Sequence, residues 1–296
     1  MAAYPKTEKD EGRMVKIIAD STCDLSPELI ERYGVDILPL HIILGDQDFE
    51  DGRSITPDDI YRWSDENRST PKTAACSQAD AEEKLARYLA QGHEVVCLAI
   101  SESMSSTANA MRLAAEKLGA GDRVKVIDSA NLSTGMGMLV IAASLMASQG
   151  ATAAQIAACV EEIKPHVRAS FVVDTLTYLH RGGRCSGAAA LVGGTLQLHP
   201  KIVVENGRMS PAKKYRGRMS RTILAYAKDM ESDLRTAVKD RVFITHSGCK
   251  EEDIEAVRQY LESLNHFDEI LITRAGGVIS SHCGPGTLGV LYISGN

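Results

Sequence analysis

Aromatic side chains are scarce in this 296-residue chain, at 5% with a single tryptophan. Its interior must therefore be filled mainly by Ala, Val, Ile, Leu and Met. No apolar run approaches the roughly 20 residues a membrane helix needs. Residues 1–13 are polar and charged, without the apolar stretch of a signal peptide, and are expected to form a short disordered start. Basic charge is not in excess. The formal net charge of -6 leaves no electrostatic footprint for nucleic acid. The seven cysteines are odd in number, scattered and never spaced CxxC. That pattern indicates neither a disulfide framework nor a zinc site, and fits free thiols in a reducing cytoplasm. GxSxG, the Walker loop and HExxH are missing too. Gly135-Met136-Gly137 lacks the third glycine and the preceding context of a dinucleotide fingerprint.

What remains is an ordinary globular composition, 44% hydrophobic and 24% charged, arranged as strands alternating with helices. Short apolar runs at residues 15–19, 95–100, 124–128, 169–173, 242–245, 269–273 and 290–294 read as strands. Between them lie amphipathic stretches with start signals. Ser26-Pro27 and Thr56-Pro57 place a cap and then proline at the first helical position. Thr56 with Asp59, Ser77 with Asp80 and Thr152 with Gln155 have capping-box spacing. Pro39 interrupts the run at 35–44 and predicts an edge strand or a bend. Residues 45–55 and 70–77 read as loops, and residues 187–198 as helix. Asn206-Gly207 predicts a hairpin turn, since that pair accepts positive φ twice. The alternation predicts an α/β chain with largely parallel sheets. The series restarts near residue 160, which suggests two α/β domains, 14–160 and 161–296.

Candidate chemistry sits in the turns. Ser101 to Thr107 follows the strand at 95–100 and precedes an amphipathic run. It offers hydroxyls and helix-start N–H groups to an anion, although Ser105 or Ser106 at such a place also serves as a plain N-cap. His282 lies near Gly284, Pro285 and Gly286, in what reads as a turn able to approach a ligand or simply as a surface loop. Arg181-Gly182-Gly183-Arg184 suits an acidic partner or phosphate, and equally a helix C-terminus. Cys76 has nothing nearby to activate its thiol. Hydroxyl-rich turns, one glycine-flanked histidine and a few arginines on an aliphatic scaffold suit a carboxylate held beside an apolar pocket.

Taken in order, these segments resemble the DegV family of bacterial fatty-acid-binding proteins. Asp20-Ser21-Thr22-Cys23-Asp24-Leu25 is similar to its DSxxDL opening, and residues 35–42 to its VVPL strand. Phe49-Glu50-Asp51 is similar to YxD, and Thr73 to Ser77 to the TSQPS loop. Residues 100–107 are similar to the ISSxLSGT turn, and Val126 to Ser129 to VIDS. Tyr178 to Arg184 is similar to YLxxGGR, and His282 to Gly286 to HxGPG. The resemblance implies two α/β domains with a lipid pocket at their interface. It implies a fatty-acid carboxylate held by Thr73, Ser105 and His282, with Gly284 beside them. It also implies a carrier rather than an enzyme, with no cofactor or metal. The carrier presents its acid to a separate ATP-dependent fatty acid kinase, with Arg184 and Arg216 meeting the kinase or the acyl phosphate. The chain departs from the family pattern in the TSQPS loop, at Ser106 where glycine is usual, and at His199-Pro200 where Lys-Pro is usual. With Ser105 assigned to the ligand, Ser106 and Thr107 become the expected local caps. The same residues also accommodate two other functions: an enzyme acting on a small acid or phosphorylated metabolite, and a lipid-dependent regulator that meets no kinase.

Overall fold

The first apolar run becomes β1 (Val15–Asp20), and a four-stranded sheet grows around it. β2 (Val35–Leu38), β6 (Glu94–Ala99) and β7 (Val124–Asp128) join it in the order β2-β1-β6-β7, every pair parallel. In this computed structural model, residues 14–185, 187 and 198–295 are described. The start expected to be disordered, 1–13, lies outside them, as does almost all of the helix expected over 187–198.

Pro39 acts as predicted. β2 ends before it at the edge of the first sheet, and the chain bends into β3 (His41–Leu44), the centre of a small antiparallel sheet. Its neighbours are β4 (Gln47–Glu50) and β5 (Lys72–Ala74). Both fall in stretches read as loops from the sequence. Three- and four-residue strands rich in polar residues carry too little alternation to be seen locally, and only pairing with β3 makes them strands. The helices α1 (Pro27–Tyr33), α2 (Pro57–Asn67) and α3 (Gln78–Ala90) start at the expected serine and threonine caps, with closed capping boxes at Thr56/Asp59 and Ser77/Asp80. They are followed by α4 (Thr107–Lys117), α5 (Ser133–Ser148) and α6 (Ala153–Ile163), the last with a capping box from Thr152 and Gln155. The division expected at residue 160 lies within α6, which packs on β6 and β7.

The second half builds a six-stranded sheet from β8 (Val167–Val172), β9 (Leu198–Glu205), β10 (Arg208–Arg216), β11 (Arg241–His246), β12 (Glu269–Arg274) and β13 (Leu288–Ile293). Their order is β10-β9-β8-β13-β11-β12. The expectation of largely parallel sheets fails here, because only β11 and β12 run parallel. The reason begins in the predicted hairpin. Asn206 and Gly207 take φ of 49° and 76°, and a two-residue turn can join only antiparallel strands. Between these strands lie α7 (Thr177–Gly182), α8 (Met219–Lys228), α9 (Glu231–Leu234), α10 (Glu251–Ser263) and α11 (Gly277–Cys283).

α5 joins the two halves. It packs on β1 and β6 of one sheet and on β8, β11 and β13 of the other. Met136, Leu139, Val140 and Ile141 are fully buried, and each such side chain stabilises the fold by about 1.5–3 kcal/mol. Its glycines permit the close approach. A Cβ at Gly137 would stand 2.7 Å from the Cys23 carbonyl oxygen. No helix among the described residues is long and apolar enough to cross a membrane.

Candidate functional site

A cavity opens where the two halves meet. About 850 Å³ of empty space lies within it, part of it open solvent. From the first half, Ile100, Met104 and Leu132 line it. From the second come Phe171, Leu179, Met209 and Leu291. Polar groups gather beside this apolar wall: Thr73, Ser105, Arg184 and His282 all line the same cavity.

His282 is not in a loop. It occupies the last turn of α11, and the following glycines turn the chain afterwards. Its Nε2 lies 2.8 Å from the Thr73 hydroxyl, which β5 presents opposite Ile42. Its Nδ1 is buried and has no hydrogen-bond partner among the described residues, because Gly182 at the end of α7 presses against it. A Cβ at Gly182 would collide with that atom. Burial, with the Arg184 guanidinium nearby, pushes the imidazole down to about 4, so it is neutral at neutral pH. An orphaned N–H is rarer in buried sites than an orphaned acceptor. The proton therefore belongs on Nε2, the Thr73 oxygen accepts it, and the threonine O–H is left to donate to a ligand.

Ser105 lies in the turn before α4. Its Oγ accepts the Thr107 N–H at 3.3 Å and shares a 2.9 Å bond with the Thr107 hydroxyl. Ser106, expected as a cap, occupies the N-cap position with no side-chain hydrogen bond. The local capping thus falls to Ser105 itself, since the Ser106 backbone, at φ -87° and ψ 9°, lies outside the extended region a capping residue uses. The turn is tied to the second half twice. Ser101 Oγ donates to the Gly207 carbonyl at 2.7 Å, and Arg184 Nε donates to the Met104 carbonyl at 3.3 Å. Arg184 also donates to the Gly182 carbonyl, at 2.8 Å.

Two of the residues singled out in the sequence do not line the cavity. Gly284 has φ 76°, and a Cβ there would stand 2.5 Å from Tyr178 Cδ2. Its role is to let the chain leave α11, while its carbonyl accepts the Ser247 hydroxyl at 2.5 Å. Arg216 closes β10, exposed. The next residue, Gly217, offers its carbonyl to His199 Nε2 at 2.9 Å. Phe171 and Met209 were missed from the sequence, and Gly182, singled out within Arg181-Gly182-Gly183-Arg184, was not expected to touch His282. Met209 was the most accessible of them, because strand alternation after the Asn-Gly turn points alternate residues inward.

The fold and the site define an α/β protein built around a largely apolar cavity whose polar cluster joins hydroxyls, a neutral imidazole and the Arg184 guanidinium. The chain belongs to the DegV family: the family profile described as "Uncharacterised protein, DegV family" matches residues 14–295. A DegV domain-containing protein of Deinococcus radiodurans is 33% identical over 285 residues, covering 93% of this chain and 97% of its own. A Thermotoga maritima protein named fatty acid-binding protein is 31% identical over 286 residues, covering 93% and 96%. Among solved structures, a fatty-acid-binding DegV family protein from Thermus thermophilus superposes with a TM-score of 0.87 at 31% identity. That match covers 95% of this chain and 99% of the other.

Proposed function

We propose that this protein binds one long-chain fatty acid and presents it to a separate fatty acid kinase, the phosphoryl chemistry belonging to that partner. The observation that carries the reading is the meeting of Thr73 and His282, with Ser105 and Arg184, on one largely apolar cavity. In this reading the acyl chain lies against Met104, Leu132, Phe171 and Leu291 and contributes on the order of 0.8 kcal/mol per buried methylene. The tail supplies most of the affinity, and few polar groups are needed to orient the head. The Thr73 O–H, held by His282, donates to one carboxylate oxygen and the Ser105 hydroxyl to the other. Arg184 at the rim faces the carboxyl group and the kinase, and Arg216 extends the basic surface. The fatty-acid-binding relatives of Thermotoga and Thermus support the ligand class.

The cavity also counts against an enzyme on a small acid. Its thiol, Cys283, is pushed up to about 12, chiefly by burial, so it is no nucleophile at neutral pH. His282 turns its second nitrogen to Gly182 rather than to an orienting carboxylate.

The test is mass spectrometry of the denatured, purified protein, with titration of oleate and palmitate into delipidated protein. One co-purified or bound acid per chain is expected, as is ATP-dependent acyl phosphate formation once a fatty acid kinase is added. Absence of any acid together with no uptake would overturn the reading.

A further inference from the structure

The proposed headgroup residues come from unconnected pieces of chain: Thr73 from β5, Ser105 from the turn before α4, and His282 from α11. α11 has only seven residues, too few to fix its own direction by helix propensity. The N–H groups of its N-cap, Gly276, and of its first residue, Gly277, are taken by buried carboxylates from far away in sequence. Gly276 N–H donates to Asp24 Oδ1 at 2.8 Å, and Gly277 N–H donates to Asp51 Oδ1 at 2.7 Å. Each carboxyl group is fixed by its other oxygen. Asp24 Oδ2 contacts the Ser133 hydroxyl at 2.5 Å, and Asp51 Oδ2 accepts that of Ser21 at 2.8 Å. The Ser21 oxygen in turn accepts the Leu40 N–H at 3.1 Å.

The packing is as close as the bonding. A Cβ on Gly277 would lie 2.5 Å from Ile42 Cδ1 and 2.8 Å from Ile60 Cδ1. Ile42 is the register partner of Thr73. Asp51 therefore ties the small sheet that carries Thr73 to the helix that carries His282. Asp24 ties the same helix, through Ser133, to the cavity wall at the start of α5. Both Asp24 and Ser133 hold left-handed φ values, 51° and 52°, which non-glycine residues adopt only where the surroundings impose them. Burial raises both carboxyl groups, Asp24 to about 8. A neutral acid at Asp24 needs no counter-charge, which suits a group enclosed among backbone and serine.

We propose that Asp24 and Asp51 are positioning residues for headgroup recognition: together they clamp α11 by its first N–H groups and so set where His282 meets Thr73. The inference rests on the fatty-acid reading above and goes beyond it. The clamp differs from a local cap, whose acceptor precedes the helix directly. Here the acceptors are 252 and 226 residues distant.

The test compares oleate with oleyl alcohol, which keeps the tail and lacks the carboxylate. Affinities are read by displacement of a fluorescent fatty-acid probe from Asp24→Ala, Asp51→Ala and the corresponding Asn variants. The Ala variants are expected to lose about tenfold in oleate affinity, the equivalent of one hydrogen bond to a charged group, with the alcohol unchanged. Asn keeps an oxygen for the helix N–H in the same shape and is expected to restore the affinity to within about twofold. An equal loss for acid and alcohol, or no loss in a folded Ala variant, overturns the proposal. Should the Ala variants not fold, Asp51→Glu decides, since its extra methylene pushes on α11 while keeping the carboxylate. A lowered acid-to-alcohol preference is expected, and an unchanged one refutes the clamp. If the wild type takes up neither ligand, the fatty-acid reading fails on its own. The clamp is then judged by the ¹⁵N resonances of the His282 ring, which move in Asp51→Glu if it holds and stay if it does not.

Discussion

Thr73→Val removes one oxygen and keeps the side chain's shape. The hydroxyl is the hydrogen-bond partner found for the His282 ring, through Nε2 at 2.8 Å, while Nδ1 has none among the described residues. Valine therefore leaves an imidazole with an unpaired N–H, which costs about 1–3 kcal/mol when buried. His282→Leu removes the ring and also strands the threonine. With both replaced, no polar group is left unpaired at this place, and the double variant should be nearly as stable as the less stable single one. The two substitutions are thus non-additive, with a coupling of about 1–2 kcal/mol. The binding side is separate. Loss of a hydrogen bond to a carboxylate is worth about 1.5–3 kcal/mol, or roughly 10- to 150-fold in oleate affinity. Urea denaturation of the four proteins without ligand gives the coupling, and probe displacement gives the affinity. Additive stabilities, or a Thr73→Val protein that binds oleate as the wild type does, would refute the reasoning.

Two further outcomes follow from the same geometry. The His282 ring, held down to about 4 by burial and then by Arg184, lies below the ordinary histidine value of about 6.5. Its contribution to stability is fully present above that value and is lost as pH falls through the folded one, by at most about 3 kcal/mol. Asp24, raised to about 8, works in the opposite direction, since its contribution is full at low pH and is lost as pH rises through 8. The His282 part is therefore read from the difference between wild type and His282→Leu in chemical denaturation from pH 4 to 7, and a flat difference contradicts it. Gly182→Ala must displace the imidazole and should lower oleate affinity about tenfold while sparing oleyl alcohol. Gly183→Ala meets nothing within 4 Å but sits at φ 68°, so it should cost about 1 kcal/mol of stability through backbone strain alone. Equal affinities in these two variants would count against the proposed role of His282 in holding a carboxylate.

Local signals in the chain were reliable where one residue's chemistry settles one bond. Ser77 and Asp80 close their capping box, Pro39 ends its strand, and Asn206-Gly207 turns its hairpin. They were unreliable where pairing with a distant segment decides. β5 is a strand because β3 lies beside it. The second sheet runs largely antiparallel because of how its strands are ordered, which alternation of helix and strand does not encode. His282 reads as a loop residue from its glycine neighbours, yet it ends a helix whose start is held by residues more than two hundred positions earlier.

The sequence by itself determined the composition of the core, the starts of the helices, the hairpin turn and the ordered motifs that mark the DegV family. All of these are properties of short windows or of their order along the chain. Only the tertiary structure decided that Thr73 and His282 touch, that Gly182 leaves one ring nitrogen unpartnered, and that Gly284 and Arg216 stand away from the cavity wall. Those facts depend on how three sheets and the helices between them pack against one another, and packing is a sum over contacts whose partners lie far apart in the chain.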